Sequence, residues 1–200
     1  MTRAFSILIF SLFFSAAAEA ASRDFDIRLR HESPRELAAA RQLRRLLDTY
    51  DVSPYVATFS VMIDETAAPH SHPVLTLNSY FLNDDASALS TFIHEQMHWF
   101  ELFMGPQVEA AIEDLKKLYP GMPSHGRGGG RDARGTFIHL IVGSQELQAT
   151  ADLFGKEEAR RVIASKTWYR WVYAQVLENE AALLTILEKH GLNFANPTSR

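Results

Sequence analysis

The sequence predicts an α+β fold built as one domain, on three observations. Before position 80, two short stretches alternate apolar and polar side chains, the period of a half-buried strand, and a third short stretch opened by Pro73 also reads as a strand. From about position 85 the pattern turns helical and stays so nearly to the C-terminus. Between the two regimes, His94-Glu95-Gln96-Met97-His98 sits inside a run without Pro or Gly from Ala86 to Met104. A chain of 200 residues is long enough for one sizeable core. Its formal net charge of −4 carries no footprint of a nucleic-acid binder.

The first element is an address rather than structure. Arg3 is the basic n-region, Phe5 to Phe14 the apolar h-region, and Ala18-Glu19-Ala20 a small-x-small cleavage site, so residues 1–20 read as a secretory signal peptide. The expected mature domain, 21–200, is then exported to a periplasm or the extracellular space. No stretch is long and apolar enough to keep a stable membrane span after cleavage. The chain has no cysteine, so its folding does not depend on disulfides.

Asp24 to His31 reads as a first strand with Phe25, Ile27 and Leu29 on one face. Ser33-Pro34-Arg35-Glu36 is a capping box with Pro in the first turn. It opens a helix to about Tyr50, whose buried stripe is Leu37, Ala40, Leu43, Leu46 and Leu47. Tyr55 to Ile63 alternates again as a second strand, and Pro73 to Asn78 is a third. His70 and His72, in the turn-rich stretch before it, belong to a surface loop and are not assigned as ligands. Asp84 or Asp85 caps the motif helix. Gly105-Pro106 breaks it, and Gln107 to Tyr119 forms an amphipathic helix ended by Pro120-Gly121. Ser124 to Gly135 is rich in Gly and Arg and is expected to be a mobile connector, or else a lid carrying Arg127, Arg131 or Arg134. Thr136 to Phe154 is a long helix, and from Lys156 the chain is helical in two or three pieces, with Trp168, Trp171, Val172, Val176 and their neighbours Tyr169 and Tyr173 as core. One of the tyrosines could instead line the cleft and help hold an oxyanion, since a buried Tyr hydroxyl needs a partner.

On the motif helix His94 and His98 lie one turn apart on one face. Two imidazole nitrogens can there reach one zinc ion at about 2.0–2.1 Å. Glu95, about 100° further round, points beside the metal, where a base is useful. The motif and its flanks, with Thr91 three residues before the first His and uncharged Phe92, Gln96, Met97, Trp99 and Phe100 around it, resemble the zincin-type zinc metallopeptidases. That resemblance implies a short, mainly antiparallel sheet packed on the His-Glu-x-x-His helix and several further helices. It also implies that the strand at 73–78 is an edge on which an extended peptide substrate pairs.

A catalytic zinc takes three protein ligands and keeps one position open. One zincin branch takes the third from His-Glu-x-x-His-x-x-Gly-x-x-His. Glu101 and Met104 stand where its Gly and His belong, which excludes it. The gluzincin branch takes a Glu from a later helix, and Thr136–Phe154 has the pattern for one. With Ser144, Gln145, Gln148 and Asp152 as its solvent face, the most buried line holds His139, Gly143, Glu146 and Thr150. A buried carboxylate and imidazole cost several kcal/mol unless paired, by each other or by a metal. Glu146 is accordingly expected as third ligand and His139 as a donor to the oxyanion, with Gly143 letting the two helices approach. The exchanged assignment, His139 as ligand and Glu146 behind one, also satisfies the pattern. The Asp usual four residues beyond a gluzincin ligand is replaced by Thr150. The expected function is an exported zinc peptidase in which Glu95 is the general base. The alternative is an exported, non-catalytic metal-binding protein using the same ligands.

Overall fold

A computed structural model describes residues 25–123 and 128–194. The expected signal segment, 1–20, lies outside them. In order come β1 (Asp26–Leu29), α1 (Pro34–Thr49), a 3-10 turn (Ser53–Tyr55), β2 (Ser60–Ile63) and β3 (Leu75–Leu77). Then follow α2 (Asp85–Phe103), α3 (Gly105–Leu118), α4 (Ala133–Phe154), α5 (Lys156–Ala164), α6 (Arg170–Glu178) and α7 (Glu180–Lys189). The α+β class therefore stands, with a three-stranded sheet and seven α-helices among the described residues. No helix among them is long and apolar enough to cross a membrane.

The sheet corrects the expectation of antiparallel strands. Its order is β1-β2-β3 and both pairs are parallel, with Ile27 opposite Val61 and Met62 opposite Thr76. The connections explain the direction. Helix α1 carries the chain back to the starting end of the sheet before β2, the crossover that parallel pairing requires. The segment 64–74 does the same for β3 without a helix. Val61, Ile63, Leu75 and Leu77 are buried, and α1 and α2 pack against the strands.

Capping fixes where the helices start. Ser33 accepts from the Glu36 amide at 3.2 Å, and Asp84 from that of Ser87 at 3.0 Å. Glu36, wholly buried, accepts the His31 and Glu65 amides, which ties the start of α1 to the segment after β2. Leu37, expected in the core, is 43 % exposed.

Helix α4 is the centre of the helical layer, packed by α2, α3, α5, α6 and α7. Of its expected solvent face, Ser144 and Gln145 are buried in consequence, Gln148 is half-buried, and Asp152 is exposed as expected. Ser144 returns its hydroxyl to the Leu140 carbonyl at 2.7 Å, Gln145 donates to Leu192 O at 2.7 Å, and Asp152 accepts the Tyr55 hydroxyl at 2.8 Å. Residues 128–135, expected to be a mobile connector, are docked: Gly128 O accepts the Trp171 amide and the Gly130 amide donates to Thr136 Oγ1 at 2.8 Å. A Cβ at Gly130 would sit 2.5 Å from the Gly135 backbone, so this turn needs glycine.

Candidate metal centre

Helix α2 is pinned before it can present anything. Gln96, fully buried, accepts the Ala57 and Thr58 amides at 2.9 Å and donates to Thr58 O at 2.8 Å. Leu89, Phe92, Ile93 and Met97 are wholly buried. The opposite face of α2, carrying Ser90, His94 and His98, lies against α4. The two helices run antiparallel: Ser90 bonds Glu146, while His98 meets His139 with ring centroids 5.0 Å apart. Eight residues forward on α2 thus match seven residues backward on α4.

This register brings three imidazoles together. Single ring nitrogens of His94, His98 and His139 all lie within 4.8 Å of one another, and the Nε2 atoms of His94 and His98 are 3.3 Å apart. Two ligands at about 2.0–2.1 Å from one tetrahedral zinc are separated by about 3.3–3.4 Å. Each ring is also held from behind at Nδ1 by an oxygen. For His94 it is Glu146 Oε2 at 2.9 Å, for His98 Glu101 Oε2 at 3.3 Å, and for His139 the Gly135 carbonyl at 2.6 Å. With Nδ1–H donated to those acceptors, Nε2 of each ring carries a lone pair, the arrangement found behind metal-binding histidines. Burial, and then His94 and His98 nearby, push His139 down to about 3, so it is neutral at neutral pH. The donor set suits a divalent metal of zinc's preferences. No fourth His, Cys, Asp or Glu shares this group among the described residues.

Glu146 does not join the convergent nitrogens. Its carboxylate lies on the Nδ1 side of His94 and is fully enclosed by donors: Ser90 Oγ and Lys166 Nζ (2.7 Å) on Oε1, Tyr173 Oη (2.7 Å) and His94 Nδ1 on Oε2. Burial alone would raise this carboxyl; Lys166 and His94 outweigh it and hold Glu146 well below the usual carboxylate range. Burial, and next the Glu146 charge, raise the Tyr173 phenol well above its ordinary value. Gly143 serves this network rather than the approach of α2. A Cβ there would lie 3.3 Å from both Tyr173 and Val176, so its absence admits the tyrosine ring. Thr150, which stands where a gluzincin has its orienting Asp, has no partner for its buried hydroxyl among the described residues.

Glu95, 6 % exposed, has no hydrogen-bond or ion-pair partner among the described residues. Its charge is felt by the Tyr169 phenol, raised by burial and then by Glu95. Tyr169 stacks on His139, centroids 3.8 Å apart and planes 29° from parallel. Glu101, three residues after His98, also faces Arg134 at 3.7 Å, and Arg134 is paired with Glu109 at 2.6 Å.

The edge of β3 is already occupied. The Thr76 amide donates to His70 O at 2.7 Å and the His70 amide to Thr76 O at 3.0 Å. The turn is fastened to the motif helix where Trp99 Nε1 donates to Ser71 O at 3.0 Å and the His72 ring lies 4.4 Å from that of Trp99. An extended peptide cannot pair at Thr76 while this turn is in place. His70 and His72 are exposed, as expected of a surface loop. A second His-carboxylate group, His31, Glu36 and Asp64, also comes within 4.8 Å, but Glu36 is spent on backbone amides and Asp64 on Thr66.

Sequence reasoning named His94, Glu95, His98, His139 and Glu146, expecting Glu146 as the third ligand and His139 as the oxyanion donor. The structure reverses that placement, grouping the His139 ring with His94 and His98 and setting Glu146 behind His94. Sequence reasoning missed Glu101, which i,i+3 spacing from His98 offered, and Ser90 and Lys166, for which the sequence has no signal. A tyrosine was expected to hold an oxyanion, whereas the Tyr173 hydroxyl donates to Glu146. Comparison with known protein families, with curated proteins and with solved structures finds no match to this chain.

Proposed function

We propose that this chain is an exported, zinc-dependent hydrolase of peptide bonds, with His94, His98 and His139 as metal ligands and Glu95 as general base. The observation that carries the reading is the convergence of one ring nitrogen from each of His94, His98 and His139, each ring held at Nδ1 by a separate oxygen. A divalent metal held there would polarise a carbonyl and supply hydroxide near neutral pH, the pKa of its water falling to about 7. The protein's own work is to present and to move protons. Glu146, Glu101 and the Gly135 carbonyl set the tautomers. Glu95, buried and without a partner among the described residues, accepts a proton from the attacking water and returns it to the leaving amine. His139 is a ligand in this reading, and Glu146 is the group that orients His94.

Peptide bonds are the substrate class implied by the zincin-like motif, and Ala18-Glu19-Ala20 supports export. Glu95→Gln should keep metal and lose hydrolysis by a factor of about 10² or more. Unchanged turnover in that variant removes the mechanism. The occupied β3 edge favours a second reading, an exported metal-binding protein without peptidase activity. It predicts metal binding equal to the first and no chelator-sensitive cleavage of any peptide library.

A further inference from the structure

Tyr169 stands where its backbone gives no reason for a tyrosine. It is the residue before α6, with φ 53° and ψ 39°, the left-handed region that a bulky L-residue enters only under strain. The N-cap position it occupies favours Asn, Asp, Ser or Gly, and its side chain makes no capping bond. What the tyrosine does make is the stack on His139. His139 is also the one ligand of the three anchored at Nδ1 by a backbone carbonyl and not by a carboxylate. A carbonyl on one nitrogen leaves the ring free to swing about that bond, and a flat neighbour on its face removes that freedom.

We infer that Tyr169 is a positioning residue for the metal site: its strained backbone holds the ring against His139 and keeps that imidazole aimed at the other two. The inference rests on the ligand assignment above. Strained conformations persist at functional sites when the surroundings impose them, and here the adjoining turn is imposed by Gly128 O, which takes the Trp171 amide.

The test separates strain from stacking. Zinc affinity, measured by competition with a chromophoric chelator, and the melting temperature of the metal-free protein are compared for wild type, Tyr169→Phe, Tyr169→Ala and Tyr169→Gly. Tyr169→Phe keeps the ring and should bind zinc within about twofold of wild type. Ala and Gly should both lose about tenfold, the effect typical of supports behind a ligand. Gly, which accepts positive φ, should melt higher than Ala while binding no better. Zinc affinity that follows the melting temperature, with Gly restored to the wild-type value, would make Tyr169 a structural residue and overturn the inference. So would wild-type affinity in both ringless variants. Failure of the wild type to bind zinc at all would instead overturn the metal reading beneath it.

Discussion

Two carboxylates in this molecule are each surrounded by cationic and hydrogen-bonding partners, and they do different things. Glu146, with no exposed side-chain surface, receives Ser90, Lys166, Tyr173 and His94. Asp114, at the surface between α3 and α7, receives Lys117, Lys189 and His190 at 2.6–2.9 Å. Both are held well below the usual carboxylate range, Asp114 by its hydrogen bonds to Lys189, Lys117 and His190, Glu146 by Lys166 and His94 against an opposing burial effect. Water screens and replaces the partners of Asp114, so its loss is mild. Nothing replaces those of Glu146, and one of them is a ring of the three-imidazole cluster. A similar donor count is thus a surface tie in one place and the foundation of the site in the other.

The largest effect that would break this contrast is at the ligands. His98→Ala or His139→Ala should abolish stoichiometric zinc in the purified protein, read by elemental analysis; retention of zinc by His139→Ala would return the third-ligand role to another group. Next is Glu146→Gln, which leaves the part-buried Lys166 beside a neutral amide. Removing one member of a buried pair costs about 3–5 kcal/mol, read by denaturant unfolding, and zinc affinity should fall about 10–100-fold as His94 loses its anchor. Gly143→Ala should cost about 1–3 kcal/mol by overpacking Tyr173 and Val176. Because it displaces the Tyr173 hydroxyl without touching a ligand, it should weaken zinc binding less than Glu146→Gln.

Asp114→Asn should be the smallest, and its pH dependence gives the sign. A carboxyl whose folded pKa is depressed contributes fully above its unfolded pKa of about 3.9 and loses that contribution as pH falls through the folded value. The variant should therefore melt slightly below wild type at pH 7 and converge with it in strong acid. A deficit that grows on acidification would contradict the pairing.

How far the sequence could be read follows the same division. Period and caps reveal the helices and strands, because both depend on neighbours close in the chain. Strand direction does not show in alternation, but the helix expected between the first two strands already offered the crossover of a parallel pair. The antiparallel expectation came from the family resemblance and overrode it. On α4 the costly residues His139 and Glu146 were legible as a buried polar line, since burial without partners is expensive. Which of the two joins the imidazoles of α2 was not. It depends on α4 running antiparallel to α2, which sets Glu146 opposite Ser90 and His139 opposite His98. The solvent face was misread because Ser144 and Gln145 find partners inside, and Trp168, expected in the core, is 77 % exposed.

The most direct measurement is X-ray absorption at the zinc edge of the metal-loaded protein, in which scattering from imidazole rings counts the histidine ligands. The account predicts three imidazoles at about 2.0–2.1 Å and one further light-atom ligand. Two imidazoles with a carboxylate, unchanged in His139→Ala and lost in Glu146→Gln, would contradict it.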